Sequence, residues 1–461
     1  MKIEQIYTGC LAQGAYYITS NGEAAIIDPL RDTQEYQERL QRDGVKLKYI
    51  IETHFHADFV SGHIDLSVAT GAPILFGPGA STAYKSMATV DGQILPLGNV
   101  QLKILHTPGH TLESICILLI DENGKEKALF SGDTLFLGDV GRPDLAQKVG
   151  EYTQEDLAGM LYDSLMNKVM PLPNDIIIYP AHGAGSACGK NMMKETMDSL
   201  GHQKEMNYAL NQPSKEAFVS AVLDGLSAPP AYFSAAVQLN KNGYKNLNTV
   251  LEEGLEPFTP EEVTQAVEGI NALILDTRKN TEFHKGFIPG SINIGIDGGF
   301  APWAGTLIKD VTQALIIVAD TGREEEVVTR LSRVGFDNVI GYLDGGIDAW
   351  KNAGKEMDTV HRISPEEFAA CVDCQTDTVI DIRNNTEYSN VHVENANCKP
   401  LADINNWMND LQDDKHFFIH CAGGYRSMIA ASILQARGIR NFTEIEGGMN
   451  AIKGTKIPMG I

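Results

Sequence analysis

Short apolar runs, four to six residues long and rich in Ile, Val and Leu, recur through the first half of the chain, and each stops at a polar residue. "AAIIDP" ends at Asp28, "LKYIIETH" runs into His54, "NVQLKILHTPGH" leads to His110, "ALFSGD" stops at Asp133 and "DIIIYPAH" at His182. Runs of this length and composition predict β-strands. Between them, "TQEYQERLQRD" and "KNMMKETMDSL" carry the texture of helices. Polar side chains placed repeatedly at strand ends are how α/β folds build sites.

Around residues 225–257 the texture changes to a Pro-Pro pair and several glycines, which reads as the tail of a first domain and a linker. Beyond it lies an internal repeat of about a hundred residues. "ALILDTRKNTEF" from Ala272 matches "TVIDIRNNTEY" from Thr378, and "GYLDGGIDAW" matches "EIEGGMNAI". "TPEEV" and "SPEEF" open the two copies with a Ser/Thr cap, a proline at the first helical position and early acids. Each copy reads as a small parallel α/β module. The expected domains are 1–245, 258–356 and 360–461.

Composition narrows the function. A formal charge of −23 argues against nucleic acid or an anionic membrane as partner. The first twenty residues lack the basic start and long apolar run of a signal peptide, and no segment approaches the ~20 apolar residues that span a bilayer. Seven scattered cysteines suit a reducing compartment better than a disulfide framework, so a cytoplasmic location is expected.

Seven of the twelve histidines fall before residue 203, six of them in the strand-end clusters. A lone histidine there is usually structural. His54, His56 and Asp58 in an HxHxD pattern, followed by His110, Asp133 and His182 at later strand ends, point instead to a transition-metal site. His63 and His106 read as structural.

"THFHADFVSGH", "HTPGHT", "SGDTLF" and "YPAHG" resemble the successive motifs of the metallo-β-lactamase superfamily over about residues 1–245. The resemblance implies an αββα sandwich with the metal at one sheet edge. Hydrolytic members of the glyoxalase type carry HxHxDH and two metals, whereas here Phe59 follows Asp58 and cannot ligate. "GDTLFLGDVGRPD" is similar to the persulfide dioxygenase branch. By that resemblance one Fe(II) per chain is held by His54, His110 and Asp133. A face of two histidines and one carboxylate leaves positions open for a persulfide sulfur and dioxygen. His56, Asp58 and His182 then orient ligands or handle protons. Arg142 matches a basic position that pairs with a carboxylate of the thiol carrier, and bracing its own loop is an equal alternative. Cys188, six residues after His182, is expected near the metal as a sulfur relay or, more simply, as an inert buried thiol.

In the second copy of the repeat, "IHCAGGYRSMIAA" sets Cys421 between an apolar strand and a helix. The loop through Gly423, Gly424, Tyr425 and Ser427 aims backbone N–H groups and the positive helix end at the sulfur. Arg426 adds a fixed charge. This is similar to the rhodanese active-site loop, which implies that Cys421 carries sulfane sulfur. The first copy reads "VADTGREEE", has no cysteine, and its loop reads as about two residues shorter. Asp320 and Glu324–Glu326 put negative charge where a persulfide would bind, so this copy reads as a scaffold. "CVDC", Cys371 to Cys374, reads as packing.

The expected fold is therefore an αββα metallo-β-lactamase sandwich followed by two rhodanese-like parallel α/β domains. The expected function is oxidation of a low-molecular-weight persulfide to sulfite, coupled to sulfur transfer at Cys421 that forms thiosulfate. The expected partners are persulfide, dioxygen, sulfite and thiosulfate, within a homo-oligomer. The alternatives are a zinc-dependent thioester hydrolase of the glyoxalase type and a non-enzymatic, sulfur-responsive scaffold.

Overall fold

Every apolar run named above is a strand in the computed structural model, which describes residues 1–146, 151–411 and 415–460. Two units are distinguished, Met1–Leu247 with Ser332–Gly335, and Asn248–Leu331 with Phe336–Ile461. Ile461, the last residue of the third expected domain, lies outside the described residues.

The first unit holds two six-stranded sheets. One runs β1 (Lys2–Thr8), β2 (Gln13–Ser20), β3 (Glu23–Ile27), β4 (Lys46–Ile51), β5 (Ile74–Phe76) and β6 (Met87–Ala88) in chain order. The other comprises β7 (Ile94–Leu97), β8 (Val100–His106), β9 (Ile115–Ile120), β10 (Glu126–Gly132), β11 (Ile177–Pro180) and β12 (Asp198–Ser199), laid out in the reverse of chain order from β12 to β7. Alternation along the strands sorts their side chains. Tyr16, Ile18, Ile27 and Ile51 meet Leu102, Ile104, Ile117 and Phe130 between the sheets. The opposite face of the first sheet buries Tyr36, Leu40 and Leu66 of two helices. That of the second buries Ala158, Leu161, Phe218 and Val222. The result is the expected αββα sandwich.

The helix Gln34–Asp43 forms as its spacing predicts and ends on Gly44 in the left-handed region. "KNMMKETMDSL" does not form a helix; it stays irregular until β12, and a helix begins only at Leu200. Three backbone donors at its start are taken elsewhere. Lys190 and Asn191 donate their N–H groups to Asp139 Oδ2 at 2.6 and 2.7 Å, and Met193 N–H donates to the Leu137 carbonyl. Helical propensity yields to these bonds.

In the second unit the repeat becomes visible as topology. The first copy has β13 (Pro257–Phe258), β14 (Leu273–Asp276), β15 (Ile292–Asn293), β16 (Leu315–Val318) and β17 (Val339–Leu343). The second has β18 (Arg362–Ile363), β19 (Thr378–Asp381), β20 (His392–Val393), β21 (Asn397–Cys398), β22 (Phe417–His420) and β23 (Phe442–Ile445). Their parallel sheets run β13-β17-β16-β14-β15 and β18-β23-β22-β19-β21, the same order twice. Both opening helices start in capping boxes, Thr259 with Glu262 and Ser364 with Glu367. Arg278 folds back on Asp276 as Arg383 does on Asp381, each reaching 2.6 Å. No helix among the described residues is long and apolar enough to cross a membrane.

Candidate functional site

The loops after β4, β8, β10 and β11 bring His54, His110, Asp133 and His182 together, all buried. Gly132 makes the approach possible. Its φ is +52°, and a Cβ there would lie 2.7 Å from the Thr53 side chain. Any larger residue would push β10 away from the loop that bears His54.

His110 Nε2 lies 3.4 Å and His54 Nε2 3.9 Å from Asp133 Oδ2. The other nitrogen of each ring is occupied. His110 Nδ1–H donates to the Arg142 carbonyl at 2.8 Å. Thr53 Oγ1 gives its proton to Asp28 Oδ2 at 2.8 Å, so it accepts from His54 Nδ1 at 3.0 Å. With Nδ1 engaged in this way, each ring turns its Nε2 toward Asp133. Burial, with His56, His110 and His182 nearby, holds His54 well below the usual histidine range, in the neutral form a metal requires. Neither carboxylate oxygen of Asp133 has a hydrogen-bond partner among the described residues. Two imidazole nitrogens and a buried, unbonded carboxylate, all within 4.8 Å of one another, fit a divalent transition metal.

A second group lies beside it. The ligand atoms of His56, Asp58 and His182 also lie within 4.8 Å of one another. His182 Nε2 is 3.2 Å from Asp58 Oδ2 and 3.6 Å from Asp133 Oδ1. Burial opposes its charge, but Asp58 and Asp133 push its pKa up to about 10. His56 turns Nε2 away from Asp133, toward Asp28 Oδ1 at 3.1 Å and Glu52 Oε2 at 3.2 Å. Against burial, these two carboxylates lift it to about 10 as well. Phe59, fully buried, stacks on the His56 ring.

Cys188 is buried, and its sulfur joins Asp133 and His182 within the same 4.8 Å. Burial, then Asp58 and Asp133, push its thiol well above the ordinary value, so it is protonated. Arg142 grips Asp144 through Nε and Nη2, both at 2.7 Å, and donates to the Ser227 carbonyl at 2.6 Å. Its visible bonds are those of a loop brace, and its own carbonyl orients His110. His63 and His106 stand apart from the cluster. The first is held by Glu52 and Tyr84, the second by the Leu112 carbonyl.

In the second unit Cys421 is buried directly after β22. Gly424, at φ +92°, turns its N–H onto Sγ at 3.1 Å and starts the helix Tyr425–Ala436. Ser427 Oγ stands 3.5 Å from Sγ on the other side. Gly423 lies in the turn between. Gly448 closes behind the loop, since a Cβ there would meet the Cys421 carbonyl at 2.3 Å. Arg426 pairs with both oxygens of Glu387, at 2.6 and 2.7 Å.

The model of the metallo-β-lactamase superfamily matches residues 8–85, and that of the rhodanese-like domain matches 259–353 and 364–455. The persulfide dioxygenase ETHE1 of Bos taurus is 30% identical over 221 residues, 47% of this chain and 78% of that protein. The hydroxyacylglutathione hydrolase of Francisella philomiragia is 29% identical over 203 residues, 44% of this chain and 73% of that one. A solved metallo-β-lactamase structure from Staphylococcus aureus is 30% identical, with a TM-score of 0.65, and covers 74% of this chain and 98% of that chain. This chain belongs to the metallo-β-lactamase superfamily. Two rhodanese-like domains follow its lactamase-type domain.

Within the rhodanese-like pair, the copy without cysteine touches the loop of the other. Asn280 Nδ2 donates to the Gly424 carbonyl at 3.0 Å, and Tyr425 Oη–H donates to the Gly295 carbonyl at 2.7 Å. Strand register sets Ala319 where the second copy has Cys421, because Val318 pairs with Asp276 as His420 pairs with Asp381. The expected shortening of this loop is not found: residues 319–323 separate strand and helix here, against 421–424 in the second copy. Asp320 and Arg323 form a turn before the helix, whereas Gly424 enters its helix at once.

One contributor to the metallo-β-lactamase domain was missed in the sequence. The stretch read as the first domain's tail and a linker contains the helix Phe233–Asn242, whose buried Asn240 reaches back to the metal loop. Its Nδ2 donates to the carbonyls of His56 and Phe59 at 2.9 and 2.8 Å, and its Oδ1 accepts from Ser61 N–H. Tyr232 adds a bond to the Asp58 carbonyl at 3.1 Å. Only the aromatic and Asn content of that stretch could have signalled it.

Proposed function

We propose that this protein is a two-site enzyme of sulfur metabolism. Its metallo-β-lactamase domain oxidises a low-molecular-weight persulfide to sulfite, and its second rhodanese-like domain moves sulfane sulfur through Cys421 to form thiosulfate. The boundaries 1–245, 258–356 and 360–461 divide these roles, the middle domain serving as scaffold for the Cys421 loop. What supports the reading most is the pairing, in one chain, of the buried His54–His110–Asp133 face with a cysteine cradled by a glycine loop.

His54, His110 and Asp133 would hold one Fe(II), which supplies the redox reactivity that couples dioxygen to a persulfide sulfur. Thr53 and the Arg142 carbonyl keep both Nε2 atoms turned toward it. His182 keeps a proton on Nε2 between Asp58 and Asp133, available to a substrate that binds at this face. Phe59, buried against the His56 ring, stands where a two-metal hydrolase would carry a further imidazole, which favours a single ion. At the second site, Gly424 N–H and the helix end stabilise the anionic sulfur of Cys421.

A second reading is favoured by one observation. His56, Asp58 and His182 form a group that would take a second ion, as a zinc thioester hydrolase needs. Metal analysis of protein purified without added metal separates the two. One iron per chain and oxygen uptake on adding persulfide support the dioxygenase; two zinc ions and no uptake support the hydrolase.

A further inference from the structure

Glu444, on β23, is fully buried, and its two oxygens serve different neighbours. Oε1 accepts the Ser427 hydroxyl proton at 2.5 Å, while Oε2 faces Arg362 Nε at 2.7 Å. Ser427 Oγ, its proton given to Glu444, is free to accept the thiol proton of Cys421 at 3.5 Å. The three groups form an unbroken line from sulfur to carboxylate. We propose that Glu444, acting through Ser427, is the proton store for sulfur transfer at Cys421.

The fold does not require this carboxylate. In the copy without cysteine, register sets Tyr342 at the position of Glu444, since Tyr342 pairs with Ile317 as Glu444 pairs with Ile419. Within this chain the copy that has the thiol has the acid, and the copy without the thiol has Tyr342 in its place. A buried carboxylate is costly to maintain, which fits a working group better than a packing one. Burial raises its pKa to about 7, against the pull of Arg362 and Ser427 and with a small push from Glu446, so both protonation states are available near neutral pH. Arg362 and Glu446 are the ionisable groups whose charge acts on it, and Cys421 is joined to it through Ser427.

The step balances without an external acid or base. The Cys421 S–H proton passes to Ser427 Oγ as the Ser427 proton passes to Glu444. The thiolate attacks the outer sulfur of R–S–SH; the new S–S bond forms on Cys421 and the old one breaks. The departing R–S⁻ takes the proton back from Glu444 through Ser427 and leaves as R–SH. No electrons are gained or lost overall.

This inference rests on Cys421 being the sulfur carrier, and one experiment tests the two separately. In the full-length protein, alkylation of Cys421 by iodoacetamide is followed across pH by mass spectrometry of its peptide, alongside sulfur loading from thiosulfate. Ser427→Ala, which keeps the Glu444–Arg362 pair, and Glu444→Gln are compared with the wild type. The wild-type alkylation profile is expected to step near pH 7, the Glu444 value. Both variants are expected to move that step upward and to load sulfur about tenfold or more slowly at neutral pH, with partial rescue in Glu444→Asp. Folded variants with the wild-type profile would overturn the relay. A shifted profile in a protein whose Cys421 never gains sulfur would sustain the relay and sink the carrier role.

Discussion

Phe59 lies against His56 with ring centroids 4.2 Å apart and planes 29° from parallel. It fills space that a further imidazole would need if the His56–Asp58–His182 group were to complete a second metal site. Phe59→His is therefore expected to raise metal content from one ion per chain toward two. It should also cost roughly 2 kcal/mol of stability through the lost apolar packing. Elemental analysis of the purified variant checks this, and a content unchanged at one would show that Phe59 does not set the stoichiometry.

Asn240 satisfies three backbone groups of the metal loop at once. Replacing it with Ala strands a buried N–H and two carbonyls, at a cost of roughly 2–4 kcal/mol. Calorimetry should show an earlier transition and weaker metal retention. A variant that keeps both would mean the helix Phe233–Asn242 is only a cover.

The cysteine-free copy supplies Asn280 to the Gly424 carbonyl. Asn280→Ala should cost about 1 kcal/mol and slow sulfur transfer at Cys421, with oxygen uptake unchanged. A transfer rate equal to wild type would remove the scaffold role from this contact.

The buried Glu444 carboxyl has a raised pKa, so the folded protein holds its proton more tightly than the unfolded chain does. Its contribution is fully present below the ordinary carboxyl range and is lost as pH rises toward about 7. The melting temperature of the wild type should fall relative to Glu444→Gln across that window and run parallel above it. Parallel curves throughout would mean that the fold does not raise the Glu444 pKa above its value in the unfolded chain.

Much of this was legible beforehand because the fold is periodic. Strands ending at Asp28, His54, Asp133 and His182 are short, β-branched and bounded by polar residues, and the repeat announces its own topology. What stayed hidden depends on distance in space. "KNMMKETMDSL" has helical composition, but Asp139, some fifty residues earlier, claims its backbone. The Asn240 clamp spans more than 180 residues of sequence. Glu444 looked like any strand acid until Ser427 was seen to join it to Cys421.

The division of labour between the two sites is tested most directly by oxygen consumption of iron-loaded protein given a low-molecular-weight persulfide, with the products resolved as sulfite or thiosulfate. The wild type is expected to consume oxygen and release thiosulfate, and Cys421→Ser to consume oxygen at a similar rate while releasing sulfite. Thiosulfate formed by Cys421→Ser at the wild-type rate, or no oxygen uptake by either protein, would contradict the account.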